Sequence, residues 1–303
     1  MEGYEVRYDC ETDCAEPAAS THIESADDIA IARAWLISMV FGGGLPTGTG
    51  TLSSVTSPIT LTGVATCQKI TFAFSSAEPR LWTPNSTNGD LVLIHGGHEM
   101  AYDDLDMDVV IQQLIDAGFT VCGFVMPGGS ATVGGNTGSH NGLSLSVFML
   151  PIIGAINTLE GSYTNIYMTG LSGGGWSTTL AAALDTRIKK SYPIAGSLPL
   201  YMPMTGAAGT RDAEQLLPGI SGISYLDLYL LGACPNRRQK QILHDGDTCC
   251  FSKSMYDELS KPYATFIANL ATDCGGDYDL VFKVLADHRF DATIFSAEVL
   301  SEI

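Results

Sequence analysis

Hydrophobic and polar positions divide the chain into stretches of different character. Residues 1–24 are polar and acidic, and they predict a loose N-terminal arm. Ser25-Ala-Asp-Asp28 reads as a helix start, with Ser25 as the cap and two acids in the first turn. The apolar run Ile29–Phe41, interrupted by Arg33, predicts a buried helix that stops at Gly42-Gly43-Gly44. Residues 45–66 are rich in Thr, Ser, Gly and Pro, and alternation such as that of Lys69–Phe74 predicts antiparallel strands joined by turns.

From Leu91 onward the rhythm changes. Leu91–Ile94 is a short continuous apolar run ended by His95-Gly96-Gly97. A stretch of helical period, Asp103–Ala117, follows it. Thr120–Val125 predicts the next strand, Leu145–Leu159 a helix, Asn165–Thr169 a strand, Trp176–Leu184 a helix and Lys190–Ala195 a strand. Gln241–Leu243 and Tyr278–Ala286 read as late strands, and a helical tail begins near Thr293. Continuous apolar strands alternating with helices predict an α/β fold with a mostly parallel central sheet covered on both faces. No internal repeat or linker interrupts it, so residues 25–303 are expected to form a single domain.

Composition narrows the classes of function. A chain of 303 residues, 45% hydrophobic, can bury one large core. Its formal charge of −18 repels phosphate backbones and anionic membranes, which argues against nucleic acid as a partner. No run of about 18 or more uninterrupted apolar residues occurs, so no membrane span is expected. The opening Met-Glu-Gly carries no signal-peptide pattern. The eight cysteines contain no C-x-x-C and no zinc spacing with histidine, so no metal site is expected. Cys10 and Cys14 are spaced to pair. Cys67 and Cys122 lie in apolar strand contexts that suit free thiols, and Cys249 and Cys250 are adjacent. Compartment and oligomeric state are left open by all of this.

The chemistry concentrates at Gly170-Leu171-Ser172-Gly173-Gly174. This G-x-S-x-G lies between a strand and a helix, the context in which such a turn lifts a serine above a sheet edge as a nucleophile. A serine needs a base. Of six histidines only His244 and His288 follow it, and His288 stands just beyond a late strand. The acid should sit past a strand end between serine and base. Asp247, after the turn at Gly246, is the first choice, and Asp245 is the alternative. Backbone N–H groups must meet the oxyanion: Gly173 supplies one, and Gly97 or His98 the other.

In these residues, taken in this order, the chain from Leu91 to its C-terminus resembles the α/β-hydrolase superfamily in its esterase and lipase branch. It departs at His98, where many esterases carry a third glycine. The resemblance implies hydrolysis of carboxylic esters through an acyl-enzyme, a Ser172–Asp247–His288 triad, no cofactor and a minimal cap formed by an insertion at about 197–240. A polyester depolymerase, a peptidase of the same fold and a non-catalytic binding protein are the alternatives. The segments Leu198–Met204 and Tyr225–Leu231 either line the substrate cleft or complete the core. His140 and Trp176 are possible substrate contacts.

Overall fold

The computed structural model describes residues 21–127, 144–200, 202, 214–216, 223–251 and 263–303. Among them nine strands form one sheet: β1 (Thr51–Ser54), β2 (Val64–Thr71), β3 (Arg80–Pro84), β4 (Leu91–His95), β5 (Thr120–Phe124), β6 (Ile166–Leu171), β7 (Ile188–Ile194), β8 (Arg238–Asp245) and β9 (Asp277–Val284). Their order across the sheet is β1-β2-β3-β5-β4-β6-β7-β8-β9. The first three strands are antiparallel, as the Thr- and Ser-rich segment predicted, and β3 pairs antiparallel with β5 as well. From β5 through β9 every pairing is parallel, so these strands present their carboxyl ends on one edge.

Strands β4, β5 and β6 are buried at every residue, as a sheet covered on both faces requires. The helices are α1 (Ala26–Phe41), α2 (Met107–Asp116), α3 (Leu145–Leu159), α4 (Gly173–Leu184), α5 (Tyr225–Ala233), α6 (Ala264–Asp273) and α7 (Ala292–Glu298). α1 begins where the sequence placed it: the Asp28 carboxylate accepts from both the N–H and the hydroxyl of Ser25. It ends at Gly42, whose φ of 71° is the left-handed cap that glycine adopts at no steric cost. α2 starts four residues later than Asp103, because 103–106 are taken up by turns with Leu105 and Asp106 at positive φ.

One expectation changes, and one open alternative is resolved. The end of the supposed loose arm is docked, with Ile23 buried and His22 and Ile23 both donating their N–H groups to Asp227 Oδ1, at 2.8 and 3.2 Å. Residues 1–20, with Cys10 and Cys14, lie outside the described residues. Tyr225–Leu231, one candidate for the cleft wall, is helix α5 and is buried on all sides. It packs against α4, with Tyr229 stacked between Tyr263 and Tyr278 at ring separations of 5.5 and 5.8 Å. These aromatic side chains complete the core.

Leu145–Ser162 is a helical stretch long and apolar enough, by composition, to cross a membrane. Here it lies in the core, where Phe148 meets Trp176 edge-on at 5.2 Å.

Two guanidiniums bind the helix ends together. Arg33 of α1 donates to the carbonyls of Ala183, Leu231 and Cys234. Arg237 donates to Ala182, Leu231 and Cys234 among others. These are terminal carbonyls of α4 and α5, which have no partners within their own helices. Burial lowers both pKa values, to about 10 for Arg33 and about 9 for Arg237, where the neighbouring Arg33 charge adds to the effect. Both remain cations at neutral pH.

Asp227 has a similar role at the start of α5. It accepts from the Ser224 N–H and hydroxyl and from His22 Nδ1. Asp227→Ala strands several buried donors and should cost on the order of 3 kcal/mol in urea unfolding. The bond to Asp227 raises the His22 pKa. The part of the loss due to His22 is therefore fully present below pH 6.5 and fades as pH rises through the raised value. A gap between wild type and variant that widened with rising pH across that range would contradict the assignment.

Candidate active site

The centre of the carboxyl edge is the turn from β6 into α4. Ser172 has φ 59° and ψ −123°, a conformation that costs a non-glycine residue of the order of 1–3 kcal/mol. Its N–H donates to Ile194 O at 3.0 Å, and Trp176 N–H donates back to Ser172 O at 2.9 Å, so both neighbours hold the strained residue. The helix that follows can pass close under β4 only because position 174 is glycine. A Cβ there would stand 2.0 Å from His95 O. Ser172 itself is half-exposed at the N-terminus of α4, where the helix dipole favours developing negative charge.

The loop after β4 lies against this turn. A Cβ on Gly97 would come within 2.7 Å of Ser172 Cβ, which explains a glycine at that point. The Gly97 N–H donates to Met100 Sδ at 2.9 Å. The imidazole of His98 lies over Gly173, where an added Cβ would meet its Cε1 at 2.7 Å. His98 Nε2 is hydrogen-bonded to Glu214 Oε1 at 2.6 Å, with the Glu214 side chain 1% exposed. Glu214 was not singled out in the sequence, since Ala213-Glu-Gln-Leu216 carries no motif and its partner is 116 residues away.

β8 and β9 supply the remaining groups. β8 ends at Asp245, which is exposed, and Gly246 reverses the chain at φ 94°. Asp247 turns inward and its carboxylate is completely buried. Oδ2 accepts from His288 Nδ1 at 2.7 Å, and Oδ1 accepts from the N–H groups of Cys249 and Cys250 at 2.7 and 3.1 Å. Burial by itself raises the pKa of this carboxyl. The bond and charge of His288, together with the two amides, outweigh burial and hold it below the usual carboxylate range. His288 Nε2 is buried and hydrogen-bonds to no described residue.

His244 is buried beside this pair, and burial lowers its pKa.

Trp176 is fully buried on α4. That corrects the expectation of a substrate contact: the indole packs on Phe148 beneath the turn. His140 lies outside the described residues. So do residues 201, 203–213 and 217–222 of the insertion between β7 and β8, of which Leu198 and Met202 are buried.

His95, at the end of β4, is buried beside Phe124 of the neighbouring β5, whose ring stacks on it at 5.8 Å. Its Nδ1 donates to Gly96 O at 2.7 Å.

In sequence, no protein-family model and no curated protein matches the chain. Solved structures match it in shape. An acetyl xylan esterase from Paenibacillus sp. R4 superposes with a TM-score of 0.54 at 13% identity, over 94% of this chain and 96% of its own. A second acetyl xylan esterase, from Thermoanaerobacterium sp. JW/SL YS485, gives 0.50 at 12% identity over 93% and 94%. An esterase of Pyrococcus furiosus gives 0.50 at 14% identity over 84% and 90%. The likeness is one of fold, and the fold is that of the α/β-hydrolases.

Burial lowers the His95 pKa to about 4. A histidine depressed in the folded state stabilises fully above its unfolded value of 6.5, and that stabilisation is lost as pH falls toward 4. The full difference is worth about 3 kcal/mol. His95→Asn retains a donor for Gly96 O but does not titrate. Wild type should therefore lose more stability than this variant between pH 7 and pH 4 in urea titrations, and parallel losses would refute the account.

Proposed function

We propose that this chain is a serine hydrolase that cleaves carboxylic esters through an acyl-enzyme, with Ser172 as nucleophile, His288 as base and Asp247 as acid. The observation that carries the reading is the 2.7 Å bond between the wholly buried Asp247 carboxylate and His288 Nδ1. It lies on the same sheet edge as a half-exposed serine held at positive φ.

The chemistry follows from these parts. With Nδ1–H bonded to Asp247, the His288 lone pair is on Nε2, the nitrogen that must take the serine proton. As Ser172 Oγ attacks the ester carbon, its proton passes to Nε2. The buried carboxylate stabilises the imidazolium that forms. Two backbone amides keep Asp247 ionised and correctly turned, so the acid is ready without rearrangement.

The carbonyl oxygen becomes an anion at the start of α4. We assign its donors as the N–H groups of Gly173 and His98, because the Gly97 N–H is turned onto Met100 Sδ. Each such donor is worth about 3 kcal/mol in the transition state. His288 then gives its proton to the departing alcohol, and water repeats the sequence to release the acid. The substrate is a small-molecule or polymeric ester, and none of these steps uses a metal.

Three variants test the reading on a series of p-nitrophenyl esters beginning at acetate. Ser172→Ala should fold normally, hydrolyse none of them and escape labelling by an active-serine phosphonate. Asp247→Asn, which spoils the tautomer, should lower turnover by about 10⁴. Asp245→Asn, exposed at the strand end, should turn over close to the wild-type rate. Substantial hydrolysis by a folded Ser172→Ala protein, or an Asp245→Asn loss that matches that of Asp247→Asn, would overturn the reading.

A further inference from the structure

The adjacent pair Cys249–Cys250 is joined by a disulfide, two residues past the acid. Its Sγ atoms and a ring nitrogen of His288 all lie within 4.8 Å of one another. The sequence shows no metal pattern here because the third group is 38 residues beyond Cys250. It is brought in by the parallel pairing of β8 with β9, which sets Asp245 beside Val284. Cys249 is exposed and Cys250 half-buried, so reagents reach the pair from solvent.

Two thiolates and an imidazole at this spacing are the donors that soft or borderline divalent cations prefer. Zinc and cadmium accept such a set in tetrahedral geometry, with a water in the fourth position. While the sulfurs are bonded to each other they have no thiolate to offer. We propose that reduction of the Cys249–Cys250 disulfide opens a Zn²⁺- or Cd²⁺-type site formed by Cys249, Cys250 and His288, and that the bound ion switches hydrolysis off.

The steps balance. A phosphine supplies two electrons and water supplies the oxygen and both protons: the S–S bond becomes two S–H groups and the phosphine becomes its oxide. The cation then displaces the two thiol protons and forms two metal–sulfur bonds. It also takes a lone pair of His288. Coordination at Nε2 removes the acceptor for the serine proton, and coordination at Nδ1 displaces Asp247. Either way the base is lost. The inhibition rests on the hydrolase reading above, whereas the metal binding does not.

The test uses the full chain, reduced with a phosphine that is then removed under anaerobic conditions. Cadmium is titrated into reduced wild type, untreated wild type and the reduced Cys249→Ser/Cys250→Ser double variant. Binding is followed by the ultraviolet thiolate-to-metal charge-transfer band. Ester hydrolysis is followed in the same samples, each relative to its own metal-free rate. Reduced wild type should bind one equivalent more than the double variant and lose most of its rate as that equivalent fills. The other two samples should keep theirs.

Equal binding by both reduced proteins overturns the proposal, as does an extra equivalent that leaves the rate unchanged. If untreated protein hydrolyses no ester, the hydrolase reading fails, and the difference in cadmium binding still decides the site. Should the double variant not fold, a trivalent arsenical on wild type provides the check. It should bridge Cys249 and Cys250, with loss of water, in reduced protein only. A peptide map without that adduct overturns the site.

Discussion

The carbonyl oxygen of His95 sets the tightest backbone limit on any glycine among the described residues. Helix α4 crosses under the end of β4 so closely that position 174 has no room for a side chain. The strand feeding this helix is buried at every residue and paired on both sides, so it cannot move aside. The chain must reverse between β6 and α4 within a single residue. Ser172 takes up that reversal at positive φ, and its side chain is pushed up to the edge. The proposed nucleophile and the proposed oxyanion donor thus stand at one helix N-terminus because of one close approach between two backbones.

A second constraint operates at the opposite end of the same helix. Arg33 and Arg237 are buried in a protein whose overall charge is −18, and they face carbonyl oxygens. Desolvating a guanidinium is costly, and several charge-assisted bonds are needed to offset it. The C-terminal carbonyls of α4 and α5 offer that many acceptors at one spot. One pair of cations thus fixes the C-terminal ends of α4 and α5 against the middle of α1. It also fixes how α4 lies on the sheet, and so the height of Ser172 above it.

Local pattern revealed the groups whose meaning is local. Leu91–Ile94 and Thr120–Val125 read as doubly covered strands because nothing polar interrupts them. Gly170–Gly174 read as an elbow from the order strand, G-x-S-x-G, helix, although the atoms that require glycine at 173 and 174 belong to His98 and His95. The choice between Asp245 and Asp247 was also partly local, since a strand continued to Asp245 ends before Gly246 turns the chain inward. What stayed hidden depends on partners far away in sequence. Nothing near His22 announces Asp227, 205 residues on, nor does the sequence around His98 announce Glu214. The amides that hold Asp247 belong to two cysteines whose side chains draw attention first. Tyr225–Leu231 could equally have been cleft wall or core, because an apolar run does not record which surface covers it.

All twelve residues of α4 are buried, so it has no solvent face along which to fray. Beyond its first turn, its amides can meet deuterium only when the sheet and the surrounding helices separate together. Such a segment exchanges at the rate of global opening, whereas exposed turns exchange through small local excursions. The helix that bears the strained serine is therefore among the last parts of the molecule to let go. The strain at Ser172 is held inside the most cooperative unit of the fold, and no partial opening can relax it.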